Sequence, residues 1–282
     1  MSQNIEIINR RKENIETISP LLSALRTISL SNWRSSLNRE INLKSYINQL
    51  EDAHKIVKEN AKINHPHEIS LKKILYIIGT NRGLCGNFNK SIRDLFMQEG
   101  LFNNEDLEII IIGKRLSRVF KQADLSFTNT LDFPDIKNIQ DFAIPLSNSA
   151  VKNFQHSSVS VLYNKYIGAS KHTATLQNIY PQEDINLIEK DIISSGFIVD
   201  TDPQQLMRTI EFVLFNSHLQ LCLLSSLASE SSARFSIMEN AGRNVDDMIN
   251  ELKIIIQDHR RGKITTETQE LAVSSGLLNS EK

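Results

Sequence analysis

Few residues in this sequence stand at spacings that could do chemistry. The most conspicuous stretch is residues 79–89, GTNRGLCGNFN, directly after an apolar run. A glycine-rich turn between a strand and a helix can cradle a phosphate. The P-loop needs Gly immediately before Lys and then Ser or Thr, whereas here Asn89 precedes Lys90 and Ser91. No G-x-G-x-x-G occurs either. The glycines therefore read as a tight turn, with Asn89 capping the helix that follows. Cys85 as a nucleophile would need a base, and no spacing nominates one. Of the seven histidines only His65 and His67 are close together, in a linker. No cysteine or carboxylate cluster completes a zinc set around them. Two basic clusters, Arg10-Arg11-Lys12 and residues 259–263 (HRRGK), read either as solvated helix faces or as a basic collar for an acidic partner. Residues 229–234, SESSAR, are small and polar where a helix pair would want bulk. Glu230 and Arg234 are four apart with the acid first, which suits a helical ion pair.

Such side chains need long helices to carry them, and the composition supplies them. The chain has 282 residues, 6 of them proline and 10 glycine. So few breakers exclude disordered and collagen-like chains. With 32 Lys+Arg against 33 Asp+Glu, the net charge of −1 argues against nucleic-acid binding by bulk charge. Cys85 and Cys222 are too few and too distant for a disulfide framework, so a reducing compartment is expected. No secretory or transit segment is expected at the N-terminus. The apolar runs, such as residues 74–78 (ILYII), are far shorter than the ~18–20 residues of a membrane span.

Hydrophobic periodicity separates three zones. Residues 2–62 step by three and four, which is helical. Pro20 would kink that helix or open a new one, and residues 21–62 alone would make a rod of roughly 60 Å. Residues 66–200 change period. Runs at 72–79, 107–113 and 158–165 read as buried strands. Helical stretches at 90–98, 115–123 and 145–154 lie between or beside them, with Pro145 in the first turn of the last. Residues 179–183 and 196–199 add edge structure. Strands alternating with helices predict an α/β layer with a largely parallel sheet. After Pro203 no proline remains, and residues 204–258 as one helix would span about 80 Å. That exceeds the roughly 45 Å diameter of a compact domain of this mass, so the helix should protrude and needs a partner along its apolar stripe. The tail past Gly262 can continue helical. The expected fold class is α/β plus a long antiparallel coiled coil. The N- and C-terminal helices pair (1–64 and 203–282), and a Rossmann-like α/β domain (65–202) is inserted between them.

At these residues the sequence resembles the gamma subunits of F-type ATP synthases. Ser229, Glu230, Ala233, Arg234, Met238, Asn240, Ala241 and Asn244 fit the family's S-E-x-x-A-R-x-x-x-M-x-N-A-x-x-N-A stretch, with Val245 in place of the last alanine. Arg260, Ile264, Thr265 and Glu267 fit its R-Q-x-x-I-T-x-E segment. Arg82-Gly83-Leu84-Cys85-Gly86 with Asn89 fits R-G-L-C-G-x-x-N, and Tyr163-Asn164-Lys165-Tyr166 resembles Y-N-x-F. The order is kept over nearly the whole chain. Departures include residues 20–29 in place of the family's K-I-T-K-A-M-K-M-V-A and Arg261 in place of Gln. They suggest a divergent branch, with the alternative sodium-type bacterial enzymes as the candidate. The cysteine-bearing regulatory insert of chloroplast-type subunits is absent from the sequence.

The resemblance implies a non-catalytic rotor subunit with no cofactor and no active site of its own. Its implied partners are the alpha and beta subunits of the catalytic hexamer, the epsilon subunit and the membrane c-ring. No nucleic-acid partner and no direct membrane span are expected. It would be peripheral, on the cytoplasmic face of the plasma membrane. Leu25, Glu230, Arg234, Arg260, Arg261 and Thr265 are its implied partner-contact residues. Two other readings remain open: a stand-alone α/β enzyme and a coiled-coil scaffold, each dimerising through the terminal helices.

Overall fold

The computed structural model describes residues 2–61, 72–104, 106–151, 157–180 and 202–275. His65, Pro66, His67, His156, the expected edge structure at 196–199 and the boundary expected at 64/65 lie outside them. The chain forms two compact units: Met1–Ile28 with Phe235–Lys282, and Ser29–Arg234.

The larger unit is built on one five-stranded sheet of β1 (Lys72–Ile78), β2 (Leu107–Ile112), β3 (Asn129–Leu131), β4 (Ser157–Gly168) and β5 (Lys171–Tyr180). The order is β3-β2-β1-β4-β5. The first three pairings are parallel and β4–β5 is antiparallel. Side chains alternate across a strand, so β1 supplies both faces. Ile74, Tyr76 and Ile78 enter one core with α4 (Ile139–Val151) and the Phe215–Leu227 stretch of α5 (Pro203–Ser274). Leu75 and Ile77 enter a second core with α2 (Phe88–Gln98) and α3 (Lys114–Gln122). A strand covered on both faces carries no polar alternation, which is why β1 and β2 read as unbroken apolar runs. This is the expected Rossmann-like layer.

α1 (Ser2–Ala61) and α5 form the antiparallel helix pair. In the larger unit Glu51 of α1 meets His218 of α5, and His54 meets Glu211, so one index rises as the other falls. In the smaller unit Arg26 donates to Glu239 at 2.9 Å, and Met238, Ile249, Leu252 and Ile256 are buried. The burial follows heptads. Along α5, Ser217, Leu224, Ser231, Met238, Val245 and Leu252 recur every seven residues, as do Ile15, Leu22, Ser29, Ser36, Leu43, Leu50 and Val57 along α1. α5 continues through Gly242 and Gly262.

Of the two readings of Pro20, the continuous helix holds, because α1 runs through it. Two local expectations are corrected. Pro145 is not in a first turn but inside α4, which starts earlier, after a 3₁₀ turn at Ile136–Asn138. Asn89 is not the cap of α2. Asn87 occupies that place, and the Asn89 amide turns back to the strand end. Among the described residues one helix, α5, is long and apolar enough to cross a membrane by length and composition, but 61% of its most apolar window is buried inside the molecule.

Candidate functional site

The turn after β1 is fastened by its own polar side chains. The Thr80 N–H donates to Asn89 Oδ1 at 3.1 Å, and Asn89 Nδ2 donates to Thr80 Oγ1 at 2.8 Å. Asn81 ties the neighbouring strand ends, accepting from the N–H groups of Lys114 and Phe133 and donating to the Phe133 carbonyl. Two glycines are forced here. Gly113 has φ +127°, and a Cβ on it would lie 2.8 Å from the Gly79 carbonyl carbon. A Cβ on Gly79 would meet Leu116 at 2.4 Å. The turn thus serves close strand–helix packing, as its plain reading expected.

Cys85 points inward. Burial, and then the Glu230 carboxylate, push its thiol above the usual range, the opposite of what a nucleophile needs. Glu230 and Arg234 meet as an ion pair one helical turn apart, and Arg234 also donates to the Gly83 carbonyl. The α5 helix is therefore bolted to the Arg82–Gly86 turn by the two residues whose spacing suggested a pair. Glu230 is buried, and that burial raises its carboxyl although Arg234 and Arg82 pull it down.

The small polar stretch of α5 has a purpose that periodicity did not disclose. β4 pairs with β1 only as far as Leu162. Beyond that point the Ser225 hydroxyl accepts from the Tyr166 N–H, and Ser229 donates to the Asn164 carbonyl at 2.9 Å. Ser232 accepts from the Ser170 N–H at 2.7 Å. Serines one and two turns apart thus satisfy the backbone of a strand that has outrun its neighbour and of the turn that follows it. Asn164, fully buried, donates to the Phe88 carbonyl at 2.8 Å and accepts from Ser91. No sequence signal beyond the family motif pointed to it.

The other candidates lie in the smaller unit. Leu25 is half-buried on α1. Arg260, Arg261 and Thr265 are exposed on α5, where Thr265 Oγ1 donates to the Arg261 carbonyl at 2.9 Å. Within the larger unit the structure joins Glu230 to Arg234. Ligands of doubly wound sheets bind at the carboxyl ends of the strands where the order reverses, here between β1 and β4. At the β1 end the turn makes the Asn89–Thr80 and Arg234–Gly83 contacts. Among the described residues no three His, Cys, Asp or Glu side chains group so as to hold a metal ion.

The profile of the ATP synthase family matches residues 4–276. The chain belongs to that family. A Bdellovibrio bacteriovorus ATP synthase gamma chain is 24% identical, over 98% of this chain and 99% of its own length. A gamma chain from the Wolbachia of Culex pipiens is 27% identical, over 95% and 97%. The family fold is also seen in solved structures. A chain of the Euglena gracilis mitochondrial ATP synthase described as containing OSCP, F1 and c-ring superposes with TM-score 0.65 at 16% identity, covering 100% of this chain and 98% of that one. A chain of the rotor of the same enzyme gives 0.64 at 15% identity, covering 94% and 100%. Of the motif residues, Gly83, Asn89, Asn164, Ser229, Glu230 and Arg234 make the contacts that join the turn, β4 and α5 in the larger unit.

Proposed function

We infer that this chain is the rotating central-stalk gamma subunit of a membrane-associated F-type ATP synthase or ATPase. The observation that carries this is the fold itself: the two chain ends pair antiparallel around an inserted α/β layer, along a sequence that matches gamma chains almost end to end. The paired helices (1–64 and 203–282) are the shaft, and the α/β domain (65–202) is the foot. The shaft turns within the hexamer of alpha and beta subunits, and the foot binds the epsilon subunit and the c-ring. The complex sits on the cytoplasmic face of the plasma membrane.

The subunit breaks no bonds. An asymmetric shaft presents a different surface to each catalytic subunit, so each step shifts their open and closed populations and with them nucleotide affinity. Leu25, Arg260, Arg261 and Thr265 lie on the shaft as the groups that meet the stator. Glu230 and Arg234 act from inside, holding α5 to the foot so that torque passes between them. The exposed Ile7, Ile18, Leu21 and Ile28 along α1 and Ile254, Ile255 and Ile264 along α5 suit a bearing that is wrapped by other subunits. The test is co-purification with the cognate alpha and beta subunits. A stable hexamer-plus-one assembly with ATPase activity is expected; a chain that stays alone, or whose melting point a nucleotide raises, overturns the reading.

A further inference from the structure

We propose that Ser36, Glu40 and Ser231 hold an internal water that pins the register of α1 against α5 in the larger unit. The heptad seams of both helices are mainly apolar, yet at this level α1 contributes Ser36 and Glu40 and α5 contributes Ser231. The three are 0%, 7% and 1% exposed. Among the described residues Ser36 Oγ, Glu40 Oε2 and Ser231 Oγ have no hydrogen-bond partner. Desolvated oxygens of this kind are costly to leave unpaired, and three in one seam point to a shared ligand.

The chemistry selects that ligand. Glu40 Oε1 already accepts from Lys44 Nζ at 2.7 Å, so the carboxylate charge is balanced and a second cation would face the ammonium. What remains is one acceptor-only oxygen and two hydroxyls that can donate or accept. A water suits that set: it donates to Glu40 Oε2, accepts from one serine and donates to the other, the roughly three bonds usual for buried water. The placement fits as well. Ser36 and Glu40 are one turn apart on one helix face, with Cβ atoms ≈ 5–6 Å apart. Counting from the Glu51–His218 and His54–Glu211 pairs sets Ser36 opposite residues 233 and 229, on either side of Ser231, and Glu40 opposite 229 and 225, about one turn from Ser231 and within the reach of its longer side chain. A slip of one heptad would set Leu43 against Ser231 or withdraw Glu40 from it, leaving an oxygen without a donor in either case.

Thermal unfolding of the full-length chain separates a hydrated layer from a dry one. If the water is present, S36A and S231A each lower Tm by about 2–4 °C, and the double variant falls little further, because both lose the same water. A dry layer gives the opposite sign, since alanine then removes an unpaired hydroxyl. A rise or no change in either single variant therefore overturns the proposal. So does a high-resolution experimental map with no water within hydrogen-bond reach of Glu40 Oε2. Register is read from disulfides. H54C with E211C is expected to crosslink in the parent chain. In an S36L S231L background, yield is expected to spread to H54C with H218C, one heptad away, and an unchanged single register overturns the pinning role.

Discussion

Burial lifts the carboxyl of Glu230, and the guanidinium of Arg234 draws it back. The two residues are therefore unequal as targets. R234A leaves a buried carboxylate without its partner and should cost about 3–5 kcal/mol in urea unfolding. E230Q removes the buried charge and keeps an acceptor, so it should cost less, about 1–2 kcal/mol. Equal losses would mean the pair is solvated. The histidines give a pH prediction. Burial lowers both His172 and His218, and for His218 this outweighs the contact with Glu51. Their folded values lie below the unfolded value near 6.5. The unfolded chain then binds more protons, so their contribution is fully present above that value and is lost as pH falls below it. Stability should decline on acidification below about pH 6.5. H172Q H218Q, followed by urea midpoints from pH 7 to 5, should flatten the slope. Glu239 has the same sign in a more acidic window: hydrogen bonds from Arg26 and Arg243 hold its carboxyl low, so its contribution is present above the unfolded carboxylate value and is lost as the pH falls through the lowered folded one.

Elements show which glycines and serines are structural. G113A needs both a left-handed φ and space that the Gly79 carbonyl occupies, so a loss of at least ~2 kcal/mol is expected. Gly83 has nothing within 4 Å of where a Cβ would stand, and G83A should be near neutral in the same melt. S229A removes a hydroxyl bonded to the Asn164 carbonyl and to the Ser225 carbonyl, and about 1 kcal/mol should go with it. The legibility of these elements in the sequence has a physical pattern. β1, β2 and β4 announce themselves because both of their faces are covered. β5, KHTATLQNIY, is a half-exposed edge strand rich in threonine, and only its last residues were anticipated. Proline misled at 145 because a single missing N–H was read as a boundary. The Ser225–Ser232 ladder could not be read at all, since which strand outruns its neighbour is a property of sheet pairing.

At the scale of the whole molecule, the pairing of distant chain ends was legible because two apolar stripes, each too long for one domain, had no other way to be covered. The partner-contact candidates came only from the family resemblance. Exposure now divides those candidates. Arg260 and Arg261 lie on the surface of α5, and surface substitutions away from special features usually move stability by no more than ~0.5 kcal/mol. R260E R261E should therefore leave the melting point of the isolated chain unchanged. In the reconstituted complex the same charges would face the stator, where like-charge contacts are costly. ATP hydrolysis by the assembled enzyme is expected to fall about tenfold, equivalent to ~1.4 kcal/mol in the limiting step. An unchanged rate with an intact assembly would return both arginines to a solvated helix face. A lower melting point of the chain alone would place them in its internal packing.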